Sequence, residues 1–365
     1  MPLLSRRATL AALPAVTMGG LAMGTGASPA PSADLSADLA TLADAAERDP
    51  LIGRTDALLV IRDGRPLLER YGPDHGPSTP HVSWSMAKSV THALVGCAVL
   101  QGRIGLDDPV RRLARSGAAP IRVRHLLNLV DGLPWDEFRR PLATRSDATR
   151  LLFGDGRFDV AAYAASRPGP RRLPGSRWNY STGSFHILAA ELTDRLFPDA
   201  RDPRARRAAV ADWMTRSLFR PAGMRTALFE YDPAGTFYGG SLMWASVHDF
   251  ARLGQLYLDD GIFGGRRLLP AGWNRFAAAP TVEPTYGAGW WREGRPGPGA
   301  PPSLMSGAFG DSFHARGLDG QILMLVPSRR LIIVRLANMP DNDRGWPLVG
   351  ALMRRLIAAS QTANI

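Results

Sequence analysis

Hydrophobic positions fall into two regimes along this chain. Near both ends they come in short apolar runs of strand length, and between them they recur at helical spacing. Residues 57–61 (Ala-Leu-Leu-Val-Ile) form one such run, Asp63-Gly64 marks a hairpin turn, and 66–71 reads as the returning strand. Late in the chain 286–291 is a strand candidate, and 321–326 and 331–336 are β-rich runs joined by the turn 327–330. Helices are predicted over 34–49, which has acids near its start, and over 85–100, which stops at Gly102. Further helices are expected at 121–130, 185–197, 208–218 and, closing the chain, 346–359. Ser246 with Asp249 three residues later forms a capping box for a helix running to Asp260.

This order predicts an α/β (α+β) fold. A mostly antiparallel sheet assembled from 34–104 and 262–365 is flanked by N- and C-terminal helices, and 105–261 is an inserted, mostly helical domain. The mouth between the two is a natural place for a site. No internal repeat and no phosphate-binding glycine loop is present.

The first 33 residues read as an address. Ser5-Arg6-Arg7-Ala8-Thr9-Leu10 is a twin-arginine pattern, a weakly apolar stretch covers 11–22, and small residues and proline fill 24–33. A Tat-type export signal is expected, cleaved near 27–33, which places the protein in the periplasm or outside the cell. An uncleaved anchor is the competing reading. A stable membrane span is not expected, because the stretch is broken by Pro14, Gly19 and Gly20 and falls short of the roughly 20 apolar residues a span needs.

Composition narrows the function. With 45% hydrophobic and 21% charged residues in 365, the chain is globular. One cysteine, Cys97, excludes a disulfide scaffold and a cysteine-based zinc cluster. The net charge of +11 invites a polyanion-binding reading. The arginine runs at 201–207 and 329–330 lack interleaved aromatics and any nucleic-acid motif, so no nucleic-acid partner is expected. The seven histidines are scattered with no metal-ligand spacing, and no metal is expected. His92 lies seven residues after Ser85, and His186 and His314 lack the G-x-S-x-G elbow that would support a Ser-His-Asp triad. Among 44 basic residues Lys88 is the only lysine. A chain that otherwise uses arginine points to a position needing an amine that can lose its proton.

Lys88 sits in Ser85-Met86-Ala87-Lys88, an S-x-x-K tetrad opening a helix. Residues three apart share a helix face, so Ser85 Oγ and Lys88 Nζ can meet. Serine becomes a nucleophile when a base takes its proton, and a desolvated lysine can be that base. The first turn of the helix adds free N–H groups suited to a developing oxyanion. Tyr180, in Trp178-Asn179-Tyr180-Ser181-Thr182, stands at a loop-to-helix step from which its hydroxyl can enter a cleft; close to cationic Lys88 it would lose its proton more readily and share the base role. The run Phe313-His314-Ala315-Arg316-Gly317-Leu318-Asp319-Gly320-Gln321 offers backbone N–H groups at Gly317 and Leu318 for an oxyanion hole, and Arg316 for a substrate carboxylate. Trp84, Trp135, Trp290 and Trp291 are candidates to line an apolar pocket, with core packing the plainer alternative.

These pieces, in this order, resemble the serine β-lactamase and penicillin-binding-protein superfamily. The nearest likeness is to serine hydrolases of the 6-aminohexanoate-dimer hydrolase type, related to class C β-lactamases. The resemblance spans about 57–358. It includes His125-Leu126-Leu127, Asp131-Gly132-Leu133, Trp135-Asp136-Glu137, Asn179-Tyr180-Ser181 and Asp249-Phe250-Ala251-Arg252-Leu253-Gly254. It implies a β-lactamase/transpeptidase-like fold, Ser85 as acylated nucleophile, Lys88 as its proton partner and Tyr180 as general base and acid. It implies neither metal nor organic cofactor. The chain departs from the superfamily in lacking the late-strand Lys-Thr-Gly. Thr182 also stands where class C enzymes carry the asparagine of Tyr-x-Asn, and Asp131 replaces a common serine.

The expected function is therefore an exported serine hydrolase acting on a small-molecule ester or amide by acyl transfer. Two alternatives are a D,D-peptidase or D-amino-acid amidase working on cell-wall peptides, and a non-catalytic ligand-binding protein of the same fold. The missing Lys-Thr-Gly argues against the first. Oligomeric state is not written in the sequence.

Overall fold

The computed structural model describes residues 33–114, 116–137, 146–168, 171–298 and 300–361. The export-signal expectation falls outside them, save for Ala33. Among the described residues no helix is long and apolar enough to cross a membrane.

Helix α1 (Ala33–Glu47) leads into strand β1 (Arg54–Arg62). Asp63 and Gly64, both with positive φ, turn the chain into β2 (Arg65–Tyr71), as the Asp-Gly signal predicts. A short β3 (His81–Val82) precedes α2 (Ala87–Leu100). Helices α3 (Val123–Leu127), α4 (Asp147–Phe153), α5 (Val160–Ala165), α6 (Thr182–Leu196) and α7 (Pro203–Met214) follow. Then come β4 (Leu228–Phe229), β5 (Met243–Ala245), α8 (Val247–Leu258), the small hairpin β6 (Ile262–Phe263) and β7 (Arg266–Arg267), and α9 (Trp273–Ala278). The chain closes with β8 (Trp291–Arg292), β9 (Phe313–Gly317), β10 (Gln321–Val326), β11 (Leu331–Asn338) and α10 (Asn342–Ala359).

Six strands form one antiparallel sheet in the order β2-β1-β11-β10-β9-β8. A second, three-stranded sheet has the order β3-β5-β4. Alternate residues of a strand point to opposite faces, and here both faces of the large sheet are covered. Leu58 and Val60 of β1, with Ile322, Met324 and Ile333, pack beneath α1 and α10. Leu59, Leu323, Leu325, Ile332 and Val334 pack on the other side, against α2 and α8. Helix α8 comes so close that a Cβ on Gly254 would sit 2.8 Å from Leu325 Cδ2. Residues 87–98 of α2 are all buried, the mark of a helix enclosed on every side. Arg335 lies within the core; its guanidinium is held by the carbonyls of Ile52 (2.7 Å) and Gly320 (3.3 Å) and by Thr55 Oγ1 (3.1 Å).

Five local expectations change. Ser85 is not in the α-helix but in a 3-10 turn, Trp84–Met86, ahead of α2, and Trp84 has a positive φ of 43° that α geometry does not allow. The helix expected over 121–130 spans only Val123–Leu127, and Leu129 again has positive φ. The one expected over 208–218 starts earlier, because Asp202 caps it and Pro203 takes its first position, and it ends in a π-turn, Thr215–Phe219. Over 286–291 only Trp291 joins a strand; Gly287 and Gly289 fold the rest into a turn whose ends meet as a Tyr286–Trp291 bridge. Ser246 caps α8 as expected, but the Asp249 carboxylate reaches Arg225 N (2.9 Å) and Thr226 N (2.8 Å), tying down the preceding loop rather than completing the box.

Candidate active site

The turn that carries Ser85 is clamped from three sides. Ser83 N donates to Met243 O (2.7 Å), Met86 N donates to Ser83 O (3.1 Å), and Trp84 Nε1 donates to Asp319 Oδ2 (3.0 Å). A Cβ on Gly317 would lie 2.2 Å from Ser83 O, so only glycine lets β9 come this close. Ser85 remains partly exposed, within reach of a substrate.

Lys88, one turn further on, is 1% exposed. Its Nζ donates to Ser85 Oγ (3.0 Å), Thr182 Oγ1 (2.9 Å) and Gly240 O (2.9 Å), three acceptors for the three protons of an ammonium. Burial lowers its pKa from 10.5 to about 8, against an opposing pull from Glu137. The lysine is thus held close to its neutral form without losing its place.

Thr182 opens α6, where Ser181 Oγ caps the helix by accepting from Ser184 N (3.0 Å). The Thr182 hydroxyl donates to Glu137 Oε1, and its backbone N–H donates to Glu137 Oε2 (2.8 Å). Trp135 Nε1 donates to the same carboxylate at 2.5 Å. A relay therefore runs from Lys88 through one hydroxyl to Glu137.

The Tyr180 phenol hydrogen-bonds Ser85, and its ring centre lies 4.8 Å from Lys88 Nζ. Trp291 stacks on the ring at 5.3 Å, and Tyr286 meets it edge-on at 5.9 Å. Burial and the Glu137 charge push the phenol well above its ordinary pKa. This reverses the expectation that Lys88 would lower it: removal from water outweighs the nearby cation, and the phenol keeps its proton. Arg316 of β9 stacks on Trp346 at 3.9 Å and faces Tyr180; burial lowers its pKa to about 10, which leaves it cationic at neutral pH.

Ser85, Lys88 and Tyr180 thus meet directly, with Arg316 beside Tyr180 and Gly317 against the turn. Leu318 follows at the exposed rim, starting a 3-10 turn, Leu318–Gly320. A family model for beta-lactamases matches residues 44–355.

The chain belongs to the beta-lactamase family.

It is a hydrolytic enzyme of the β-lactamase fold, within the serine β-lactamase and penicillin-binding-protein superfamily. A sequence relative is the 6-aminohexanoate-dimer hydrolase of Paenarthrobacter ureafaciens, 24% identical over 314 residues, covering 80% of this chain and 75% of that protein. Among solved structures, a putative 6-aminohexanoate-dimer hydrolase from Bacillus anthracis superposes with a TM-score of 0.67 at 19% identity, over 86% of this chain and 81% of its own. EstCE1, a hydrolase with promiscuous acyltransferase activity, gives 0.63 at 16% identity, over 90% and 100%.

Within this beta-lactamase framework Ala315-Arg316-Gly317 occupies the strand beside the serine turn, and no lysine is there to grip a carboxylate. Glu137 and the Gly240 carbonyl were not singled out by their sequence context; the Trp135-Asp136-Glu137 segment gave the only signal for the carboxylate. Asp131 accepts from Ser184 Oγ (2.7 Å) and Leu133 N (2.9 Å), so it fastens the loop before the site to α6. The four tryptophans divide. Trp290 is core, packed on Tyr257 and Phe313, while Trp291 faces the site, Trp135 holds Glu137 and Trp84 holds Asp319. His92, His186 and His314 are buried and their pKa values fall to about 3, so none serves as a base near neutrality. His75 and His81 are another matter: the structure brings them together with Asp56, although their spacing suggested no metal ligands.

Proposed function

We propose that this beta-lactamase family member is an exported serine hydrolase that cleaves an ester or a small amide through an acyl-Ser85 intermediate. The observation that carries the reading is the buried lysine contact, Lys88 Nζ to Ser85 Oγ at 3.0 Å, with Tyr180 on the same hydroxyl. Neutral Lys88 takes the Ser85 proton as Oγ attacks the substrate carbonyl carbon. The N–H groups of Ser85 and Leu318 receive the oxyanion. Tyr180, which keeps its proton, passes it to the leaving alcohol or amine and is reprotonated from Lys88. Water then repeats the sequence against the acyl-enzyme, giving the acid and free Ser85. Arg316 orients an acidic group on the substrate. The twin-arginine pattern supports export, and N-terminal sequencing of the secreted protein tests it.

A broad fluorophosphonate probe, read by intact mass, tests the chemistry. One adduct on the wild type and none on Ser85→Ala is the expected result. A well-folded wild type that stays unlabelled refutes the reading. Faster turnover of simple esters than of D-Ala-D-Ala peptides separates it from a cell-wall peptidase.

A further inference from the structure

Three potential ligands converge outside the serine site. Asp56 lies on β1, His75 in the loop between β2 and β3, and His81 at the start of β3. Their ligand atoms all lie within 4.8 Å of one another. Together with Trp244, Asp319 and Gln321 they line a cleft of about 260 Å³. His75 Nε2 stands 3.9 Å from Asp56 Oδ1, and His81 Nδ1 stands 3.9 Å from Asp56 Oδ2. These distances are too long for hydrogen bonds. Two ligands of one tetrahedral ion at its usual bond lengths stand about 3.3 Å apart, so side-chain rotations of the order of 1 Å would close the set.

The surroundings favour a ligand role. His75 Nδ1 is bonded to Pro73 O at 2.7 Å, which fixes the tautomer and leaves Nε2, the atom facing Asp56, with its lone pair free. The His81 side chain is only 10% exposed, yet its Nε2 has no hydrogen-bond partner among the described residues, and its other nitrogen faces the carboxylate. A metal ion on Nδ1, the atom that faces Asp56, would leave Nε2 to carry the proton. Arg54 is bonded to Asp56 at 2.5 Å, but its side chain is 59% exposed, and such a pair gives way easily to a tighter ligand.

We propose that Asp56, His75 and His81 bind one divalent transition-metal ion of the Zn2+ type. Two imidazoles and a carboxylate suit such an ion, and a fourth position remains open to water from the cleft. The ion ties the loop between β2 and β3 to the central sheet. It also anchors the strand that enters the serine turn four residues before Ser85. The same cleft contains Asp319, which holds the Trp84 indole. The site does not depend on the serine mechanism.

Isothermal titration of chelator-treated full-length protein with Zn2+ tests it. Saturation at one equivalent per chain is expected, with affinity falling roughly tenfold or more in His75→Ala and in His81→Ala. His248→Ala, at a histidine bonded to Glu69 instead, should bind as the wild type does. Added Zn2+ should raise the melting temperature of the wild type and not of His75→Ala. His75 lies in a loop, so its variant separates ligand loss from misfolding. Equal affinity in the wild type and His75→Ala, or no saturable binding, overturns the site.

Discussion

Replacing Lys88 with methionine separates the cost of burying a cation from its use. The methionine chain has similar bulk and carries no charge. A proton affinity lowered from 10.5 to about 8 corresponds to about 3 kcal/mol of unfavourable burial. The variant is relieved of this at pH 7 but loses three hydrogen bonds, and leaving Gly240 O unpaired costs about 1–3 kcal/mol. The absolute change is therefore small, and the pH dependence carries the test. The folded lysine gives up its proton near pH 8, while the unfolded one holds it to about 10.5. Between these values the unfolded wild type binds more protons, so wild-type stability rises with pH, and the methionine variant has no such term. The wild type should gain about 3 kcal/mol on the variant from pH 8 to 10.5. Urea melts of both proteins across pH 7–10.5 measure this, since other groups cancel in the difference. Parallel stability curves would refute the lowered pKa. Ester hydrolysis should be lost in Lys88→Met throughout.

Other outcomes follow from the same geometry. Wild-type ester turnover should rise with pH through about 8 as Lys88 deprotonates, and Glu137→Gln, which removes the charge that raises the lysine pKa, should move this limb to lower pH. Tyr180→Phe should slow ester turnover by roughly 10²–10⁴-fold with little change in melting temperature; wild-type turnover of an ester would exclude proton transfer by the phenol. Gly317→Ala places a methyl 2.2 Å from Ser83 O, so β9 must move off the serine turn. A stability loss of about 1–3 kcal/mol and a drop in turnover are expected, and differential scanning calorimetry with an ester assay checks both.

Much of this was legible in the sequence because it is local. The run at 57–61, the Asp-Gly turn and the late hairpin at 327–330 each specify their own conformation, and all three appear as read. Ser85 and Lys88 announce themselves through spacing and the single lysine. What could not be read depends on distant backbone. The Trp84–Met86 turn looks helical by composition and is held out of the helix by β5 and β9. Glu137 touches the lysine only through Thr182, far along the chain. Trp290 ends the turn and packs into the core on Tyr257 and Phe313, while its neighbour Trp291 starts β8 and stacks on Tyr180, a division set by the turn rather than by the sequence pattern. His75 and Asp56 converge because of the path of the loop after β2.

The pairing of β1 with β11 also has a consequence in time. Arg54 lies opposite Asn338, so an early strand finds this neighbour only after nearly the whole chain has left the ribosome. Until then β1 has only its hairpin partner β2, and one edge of β1 stands open. Contacts of such long sequence separation form slowly and leave strand edges exposed to other chains. A nascent chain stalled before residue 331 should therefore aggregate or be degraded rather than display a partly working site.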